Sequence, residues 1–320
     1  MSLTVILNDR DVSGMVEKVE WSGSCEEVGR TCDITHINAP YDPVVKSLPA
    51  PKLGDYVTVI DETDGELFFG RVSGRERGSS YGTLTANCVE DSQRLLKNKV
   101  KYSFTNKTPE EIAEIILADY QFPVGELAQT GVTLKSLIIN GDSIYDAIKK
   151  AYKQAEKQNG KHYLFAMRSR ALQIRESGQE TAAYLIAEDR NITESHFSEK
   201  SDNVVNSVVI CDSSGNRIGA VNDSDSEAMY GTFQEIYTSE EGVDANAAAS
   251  EKLQGPEQSL SVTALGNNGC VAGCAIILKD SATEQYGLFW VKNDKHTYQN
   301  GTHTMELELS FKELTTGGED

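Results

Sequence analysis

The stretch KHTYQNGTHTMELELSF, residues 295–311, places His296 and His303 close to two carboxylates, Glu306 and Glu308. Imidazole and carboxylate are the side chains of metal sites and of general acid–base catalysis. Asn300-Gly301 lies between the histidines. Both residues tolerate the positive φ of a type I′ turn, so the stretch predicts a β-hairpin with the two rings facing across it. A closed metal site needs a third and a fourth ligand. Cys270 and Cys274 have one residue too many between them for a redox Cys-x-x-Cys pair, and no second pair or nearby histidine completes a zinc set. In MELELSF, Met305, Leu307, Leu309 and Phe311 share one strand face, and Glu306, Glu308 and Ser310 share the other. The expectation is a structural hairpin with no catalytic, cofactor or metal residues. Its apolar face fills a core, and Glu306 and Glu308 face a channel or a neighbouring subunit.

Other chemical readings are weaker. No Gly-x-Ser-x-Gly, His-Glu-x-x-His or Walker-type loop is present. His162 reads as a packed or surface residue beside a strand. GRERGSSYG (74–82) carries Arg75 and Arg77 among glycines, but no helix follows to cradle a phosphate. The pairs Glu26-Glu27 and Glu240-Glu241 sit beside turn residues and read as solvated. Hydrolysis by a carboxylate pair stays open, because its two partners can be distant in sequence.

The elements that would position these residues follow from periodicity. Strands are predicted at 4–7, 15–21, 31–37, 55–60, 66–72 and 82–90, several alternating apolar with polar. Residues 38–55 hold four of the seven prolines and read as a loop. TPEEIAEIILADY then opens with a capping box, Thr108 as N-cap, Pro109 in the first helical position and Glu111 in the third. A second helix runs from a cap at Asp142 or Ser143 to a stop at Gly160, with Ile144, Ile148, Ala151, Tyr152 and Ala155 on one face. A hairpin at 161–176 has its turn near Arg168-Ser169-Arg170. Beyond residue 200, two strands flank Ser-Ser-Gly-Asn within 203–223, an Ala-rich helix spans 243–256, and 259–278 reads as strand, Gly-Asn-Asn-Gly turn, strand. Strands at 286–291 and 303–311 close the pattern. The fold class is mainly β with an α/β insert: a first β-barrel at 1–90, an α/β domain at 91–200, and a second β-barrel with a crossover helix at 201–320.

Charge follows the same division. The net charge is −19 overall. Residues 1–90 hold 8 Lys+Arg against 15 Asp+Glu, residues 91–200 hold 16 against 15, and residues 201–320 hold 6 against 19. Acidic outer segments repel a polyphosphate, which argues against specific nucleic-acid binding. No apolar run approaches a membrane span, and no secretion signal is read at the N-terminus, so the six cysteines are expected as reduced thiols.

Taken in order, GRTCDI (29–34), LGDYVTVID with ELFFGRV (53–72), TPEEIAEIILADY (108–120), INGDSIYDAIKKAYKQA (139–155), GKHYLF (160–165), VVNSVVICDSSGN (204–216), YGTFQEIY (230–237), VAGCAIIL (271–278) and the closing hairpin form a chain-long pattern. That pattern resembles the XkdQ-like baseplate hub proteins of PBSX-type contractile phage tails and R-type bacteriocins. It is distantly similar to late-control D protein and the VgrG hub region. The resemblance implies two tail-tube-like β-barrels flanking a small α/β domain. It also implies a homotrimer whose six barrels join a sixfold tail tube to a threefold spike. Partners would be the tail tube protein, spike protein, baseplate wedge proteins and tape-measure protein, with no membrane anchor. Assembly would take place in the bacterial cytoplasm, and the protein would leave in the particle after lysis. Neither a fused lysozyme domain nor a long β-helix is seen, which leaves open where the spike comes from. The alternative is a tail-associated peptidoglycan hydrolase.

Overall fold

The computed structural model describes residues 3–39, 41–77, 82–178, 184–240 and 243–314. The first ninety residues give β1 (Leu3–Leu7), β2 (Arg10–Asp11), β3 (Val16–Ser24), β4 (Thr31–Asn38), β5 (Tyr56–Asp61), β6 (Gly65–Glu76) and β7 (Gly82–Glu90). All six strands expected here form. Alternation along them sends Val57 and Val59 inward from β5, and Cys32 and Ile34 inward from β4. The proline-rich loop holds one short helix, α1 (Pro43–Ser47), because Asp42 accepts from the backbone amides of Val44 and Val45 and Pro43 takes the first helical position.

The middle of the chain contributes α2 (Gln93–Lys97), β8 (Lys99–Lys107), α3 (Pro109–Asp119), β9 (Val124–Leu127), β10 (Leu134–Ser143), α4 (Ile144–Asn159), β11 (Tyr163–Arg168) and β12 (Ala171–Glu176). The capping box at Thr108 and Glu111 is formed on both sides. Ser143, not Asp142, caps α4, and Gly160 ends it at φ 69°. Two small sheets, β10-β8 and β11-β12-β9, pack with these helices around their own core. Ile112, Ile116, Ile148, Tyr152 and Leu172 in that core are essentially inaccessible.

The remaining elements are β13 (Tyr184–Ala187), β14 (Ile192–Lys200), β15 (Ser207–Cys211), β16 (Arg217–Asn222), α5 (Ser224–Tyr230), β17 (Gln234–Thr238), α6 (Ala245–Ser250), β18 (Glu257–Leu265), β19 (Ala275–Asp280), β20 (Gln285–Gln299) and β21 (Thr302–Ser310). The protein is mainly β. Its largest sheet runs β14-β18-β21-β20-β3-β4-β7-β6-β5-β1-β2, with β19 joined to β20 and β13 to β19. In this order the two end strands are not paired with each other. Strands from the beginning and end of the chain are neighbours in it: Trp21 on β3 stands opposite His296 on β20.

Both strands read across 259–278 form, but they are not neighbours in the sheet. β18 lies beside β14 and β21, while β19 lies beside β13 and β20. The connection 266–274 is too long for a tight turn and folds on itself, with amide bonds from Cys270 to Asn267 and from Cys274 to Val271.

The chain gathers into two compact units, residues 1–195 with 261–320, and residues 196–260. The boundaries read from the sequence at 90 and 200 follow changes of element type, whereas these follow packing. In the smaller unit β15 pairs antiparallel with β16 and parallel with β17. Val208, Ile210 and Ala249 are its core, covered by Val205, Val221, Tyr237 and Leu253. The expected Ala-rich helix is only Ala245–Ser250, capped by Asp244.

Candidate functional site

The hairpin β20–β21 turns at Asn300 and Gly301, with φ of 53° and 75°. Both values suit the type I′ turn read from the sequence. Its register pairs Tyr298 with His303 and His296 with Met305. The histidines are therefore diagonal neighbours on the buried face rather than directly opposite. A break in register between Val291 and Asn293 sets which residues of β20 turn inward, and Asp294, His296 and Tyr298 are all buried.

His296 Nδ1 lies 3.0 Å from His303 Nε2, and His296 Nε2 lies 3.0 Å from the Cys270 carbonyl oxygen. A carbonyl only accepts, so His296 carries its proton on Nε2. Its Nδ1 then accepts from the Nε2–H of His303. This leaves His303 Nδ1 as a buried lone pair without a partner. Burial pulls both imidazoles down to about 4, so both are neutral at physiological pH. Trp21 stacks on His296 at 4.3 Å and Tyr298 on His303 at 3.9 Å between ring centroids. The Tyr298 hydroxyl donates to Asn268, whose amide donates to Asp64 at 2.8 Å. Gly266 leaves room for the His303 ring: a Cβ there would stand 2.1 Å from it.

One step along β20, Asp294 holds the Arg30 guanidinium through both carboxylate oxygens and accepts from the Ala272 amide at 2.6 Å. Arg30 lies over the Trp21 ring at 4.1 Å. Side-chain exposure is 10% for Arg30 and 0% for Asp294, so this is an ion pair shielded from water. Together these groups tie β3, the start of β4, β20, β21 and the connection 266–274 into one buried polar seam.

Most polar groups of the seam are engaged with one another. Three of the four histidine nitrogens are turned to each other and to a carbonyl. Burial pushes the thiols of Cys270 and Cys274 up to about 12 and 11, so both stay protonated and unreactive. Among the described residues no group of three His, Cys, Asp or Glu side chains is arranged to hold a metal ion.

Glu306 and Glu308 lie on the other face of β21 from Met305, Leu307 and Leu309, which are buried. Glu306 is exposed and 3.9 Å from Lys295, and Glu308 accepts from the Asn293 amide. Phe311 lies beyond the end of β21, is only partly buried, and meets Phe289 edge-on. His162 is exposed. Arg75 donates to the Pro51 carbonyl, while residues 78–81 of the glycine-rich loop lie outside the described residues. Glu26 pairs with Lys292 at 3.3 Å, and Glu241 also lies outside the described residues. Sequence reasoning missed Trp21, Arg30 and Asp294. The available signal was Asp294-x-His296-x-Tyr298, three polar-tipped residues at strand spacing on one face.

The family profile described as YqbQ-like matches residues 19–310. The chain is 26% identical to the phage-like element PBSX protein XkdQ of Bacillus subtilis (strain 168), over 99% of both chains. Its fold is similar to that of the 43 kDa tail protein of prophage MuSo2 from Shewanella oneidensis, with TM-score 0.75, 15% identity and coverage of 97% of this chain and 98% of that one. It is also similar to the E. coli c3393 protein, a component of the type VI secretion system with structural similarity to T4 tail proteins gp27 and gp5. There the TM-score is 0.57, with 10% identity over 97% of this chain and 76% of that one.

Proposed function

This chain belongs to the YqbQ-like family, and we propose from that membership that it is the non-enzymatic baseplate hub of a contractile phage tail or bacteriocin. In this reading it assembles as a homotrimer that joins the sixfold tail tube to the threefold spike. The observation that carries the reading is likeness along the whole chain: XkdQ aligns over 99% of both sequences, and the fold matches a prophage tail protein nearly end to end. The strands of 1–90 and 201–320 supply two tube-type β-barrels, and residues 91–200 supply the α/β insert between them. That insert has a core of its own, which supports its treatment as a separate piece.

The trimer contacts the tail tube protein, spike protein, baseplate wedge proteins and tape-measure protein. Glu306 and Glu308 face the channel or a neighbouring subunit, where an acidic wall keeps a passing polyanion from sticking. Absence of enzymatic activity is supported by the locked state of His296 and His303. Assembly takes place in the bacterial cytoplasm, and the protein leaves in the particle. Among the described residues no helix is long and apolar enough to cross a membrane.

Native mass spectrometry of the purified chain, with electron cryo-microscopy of the parent particle, tests the proposal. The expected result is three copies between tube and spike. A stable monomer absent from purified particles refutes it. Clearing of peptidoglycan by the purified chain, abolished by His296→Ala or His303→Ala, establishes the hydrolase instead.

A further inference from the structure

Two surfaces of this chain carry opposite charge around an uncovered apolar centre. The first is the outer face of the β8–β10 sheet. Its inner face, with Val100, Phe104, Leu137 and Ile139, is buried in the α/β core. Alternation turns Lys99, Lys101 and Ser103 of β8 and Ile138 and Asn140 of β10 the other way, and all five are exposed. Register sets Ile138 beside Ser103 and Asn140 beside Lys101. Ile138 is 68% exposed, a large apolar side chain beside two lysines. Lys150 of α4 adds a third cation, donating to the Ile138 carbonyl at 3.2 Å. Asp142 lies 3.6 Å from Lys150, but among the described residues neither Lys99 nor Lys101 forms an ion pair.

The second surface belongs to the unit of residues 196–260, which holds 3 Lys+Arg against 12 Asp+Glu. Its sheet is covered on one face, where Val208 and Ile210 pack with Ala249 of α6. On the other face, register sets Ala220 and Ile236 on either side of Val209. Ile218, two residues before Ala220, is 58% exposed, and Ile236 is 60% exposed. Asp212 stands at the turn end of β15–β16, and Asp223 and Asp225 follow its far end. An apolar sheet face open to water marks a contact surface. The acidic charge around it selects a basic partner.

We propose that the open face of this unit in one copy docks on the lysine face of β8–β10 in a second copy of the chain. Ile218 and Ile236 then cover Ile138, and the acidic ends of β15–β16 meet Lys99 and Lys101. Charge decides the pairing: two acidic faces repel each other, as do two lysine faces, so neither surface pairs with its own kind. A contact between two different patches is heterologous, and repeated by a rotation that closes, it makes a ring. This contact gives the homotrimer of the hub reading one of its interfaces, and it rests on that reading.

The test uses the full chain at about 0.05 M salt, where surface charges are least screened. Native mass spectrometry reads the number of copies, and a carbodiimide joins lysine amines to carboxylates in contact. The expected result is a trimer whose cross-linked multimer band contains peptides joining Lys99, Lys101 or Lys150 to carboxylates of 196–260, absent from the monomer band. Lys99→Glu with Lys101→Glu should weaken association roughly tenfold or more. Ile236→Ser should weaken it about tenfold. Lys46→Glu with Lys52→Glu makes the same charge change on the proline-rich loop and should alter association by less than about twofold. All five substituted residues are exposed, so the variants keep the fold. A trimer unaffected by Lys99→Glu with Lys101→Glu, or weakened as much by the loop pair, overturns the proposal and leaves the hub reading standing. A trimer whose multimer band lacks these cross-links, or shows them equally in the monomer band, does the same. A monomeric parent chain refutes the homotrimer itself, and the contact with it.

Discussion

Asp294→Asn is the sharpest perturbation of the seam. One carboxylate oxygen accepts from Arg30 and from the Ala272 amide, and the other accepts from Arg30. An asparagine must put its NH2 at one of these positions, and at either it meets an N–H donor. No orientation satisfies the site, and Arg30, with 10% of its side chain exposed, loses its counter-charge. Breaking a buried pair from one side costs about 3–5 kcal/mol. In a unit of this size that lowers the melting temperature by roughly 6–20 °C. The assay is urea unfolding followed by tryptophan fluorescence, since Trp21 lies in the seam. It is run with Arg30→Met and the double variant as a cycle. Arg30→Met removes the charge while keeping a side chain over the indole, so the double variant should recover much of the loss. A buried pair is weakly screened, so the penalty should persist at high salt. A loss below about 1 kcal/mol, or strictly additive single changes, would refute the description of Asp294 and Arg30 as a shielded pair.

Stability should also fall on acidification. His296 and His303 titrate at about 4 in the folded chain, against 6.5 when free. Their contribution is complete above pH 6.5 and is lost as pH falls through 4, roughly 3 kcal/mol for a ring taken singly. Glu90, lifted by burial to about 7, acts oppositely: its contribution is present below about 4.5 and lost as pH rises through 7. Urea midpoints at pH 7.5 and 5 should therefore drop, and drop further in Glu90→Gln; a flat profile would contradict the buried neutral pair. Gly266→Ala should cost about 1–3 kcal/mol through overlap with His303, whereas Gly14→Ala, with nothing within 4 Å of the new carbon, should leave the melting temperature near that of the parent. Leu307→Ala, at a site 1% exposed, should cost about 2–5 kcal/mol. Glu306→Gln, on the solvated face, should change stability by less than about 1 kcal/mol; the reverse ranking in calorimetry would invert the face assignment.

Local signals carried most of the fold. The capping box, the glycine stop of α4, the Asn300-Gly301 turn and the alternation of MELELSF all survive because each acts over a few residues and agrees with the tertiary packing. Pairing between distant segments was not legible. β18 and β19 each read correctly as strands, but their partners are β14, β21, β13 and β20, and nothing in 259–278 encodes those choices. The seam was half legible. The histidines stood out by type, and the hairpin placed them on one face. Arg30 is 264 residues from Asp294, and its partner becomes visible only once β3 and β20 are neighbours. The register break before Asp294 hid it further, because strict alternation from Val291 turns Asn293 inward in its place.

The pairing of β3 with β20 also sets an order of events in time. The two strands are about 270–280 residues apart in the chain. At a synthesis rate of 5–20 residues per second, β3 leaves the ribosome roughly 15–50 s before its partner exists. During that interval its edge, with the Trp21 side chain, has β4 on one side and nothing on the other. Apart from Val28, the α/β core is built from residues within 95–174, so most of it closes early. The large sheet waits for the last hairpin, and with it Arg30 waits for Asp294. Residues 285–310 therefore act as a completion signal: until they arrive the chain is a folded insert on an open sheet edge, held in the slow regime of long-range β pairing and exposed to wrong partners.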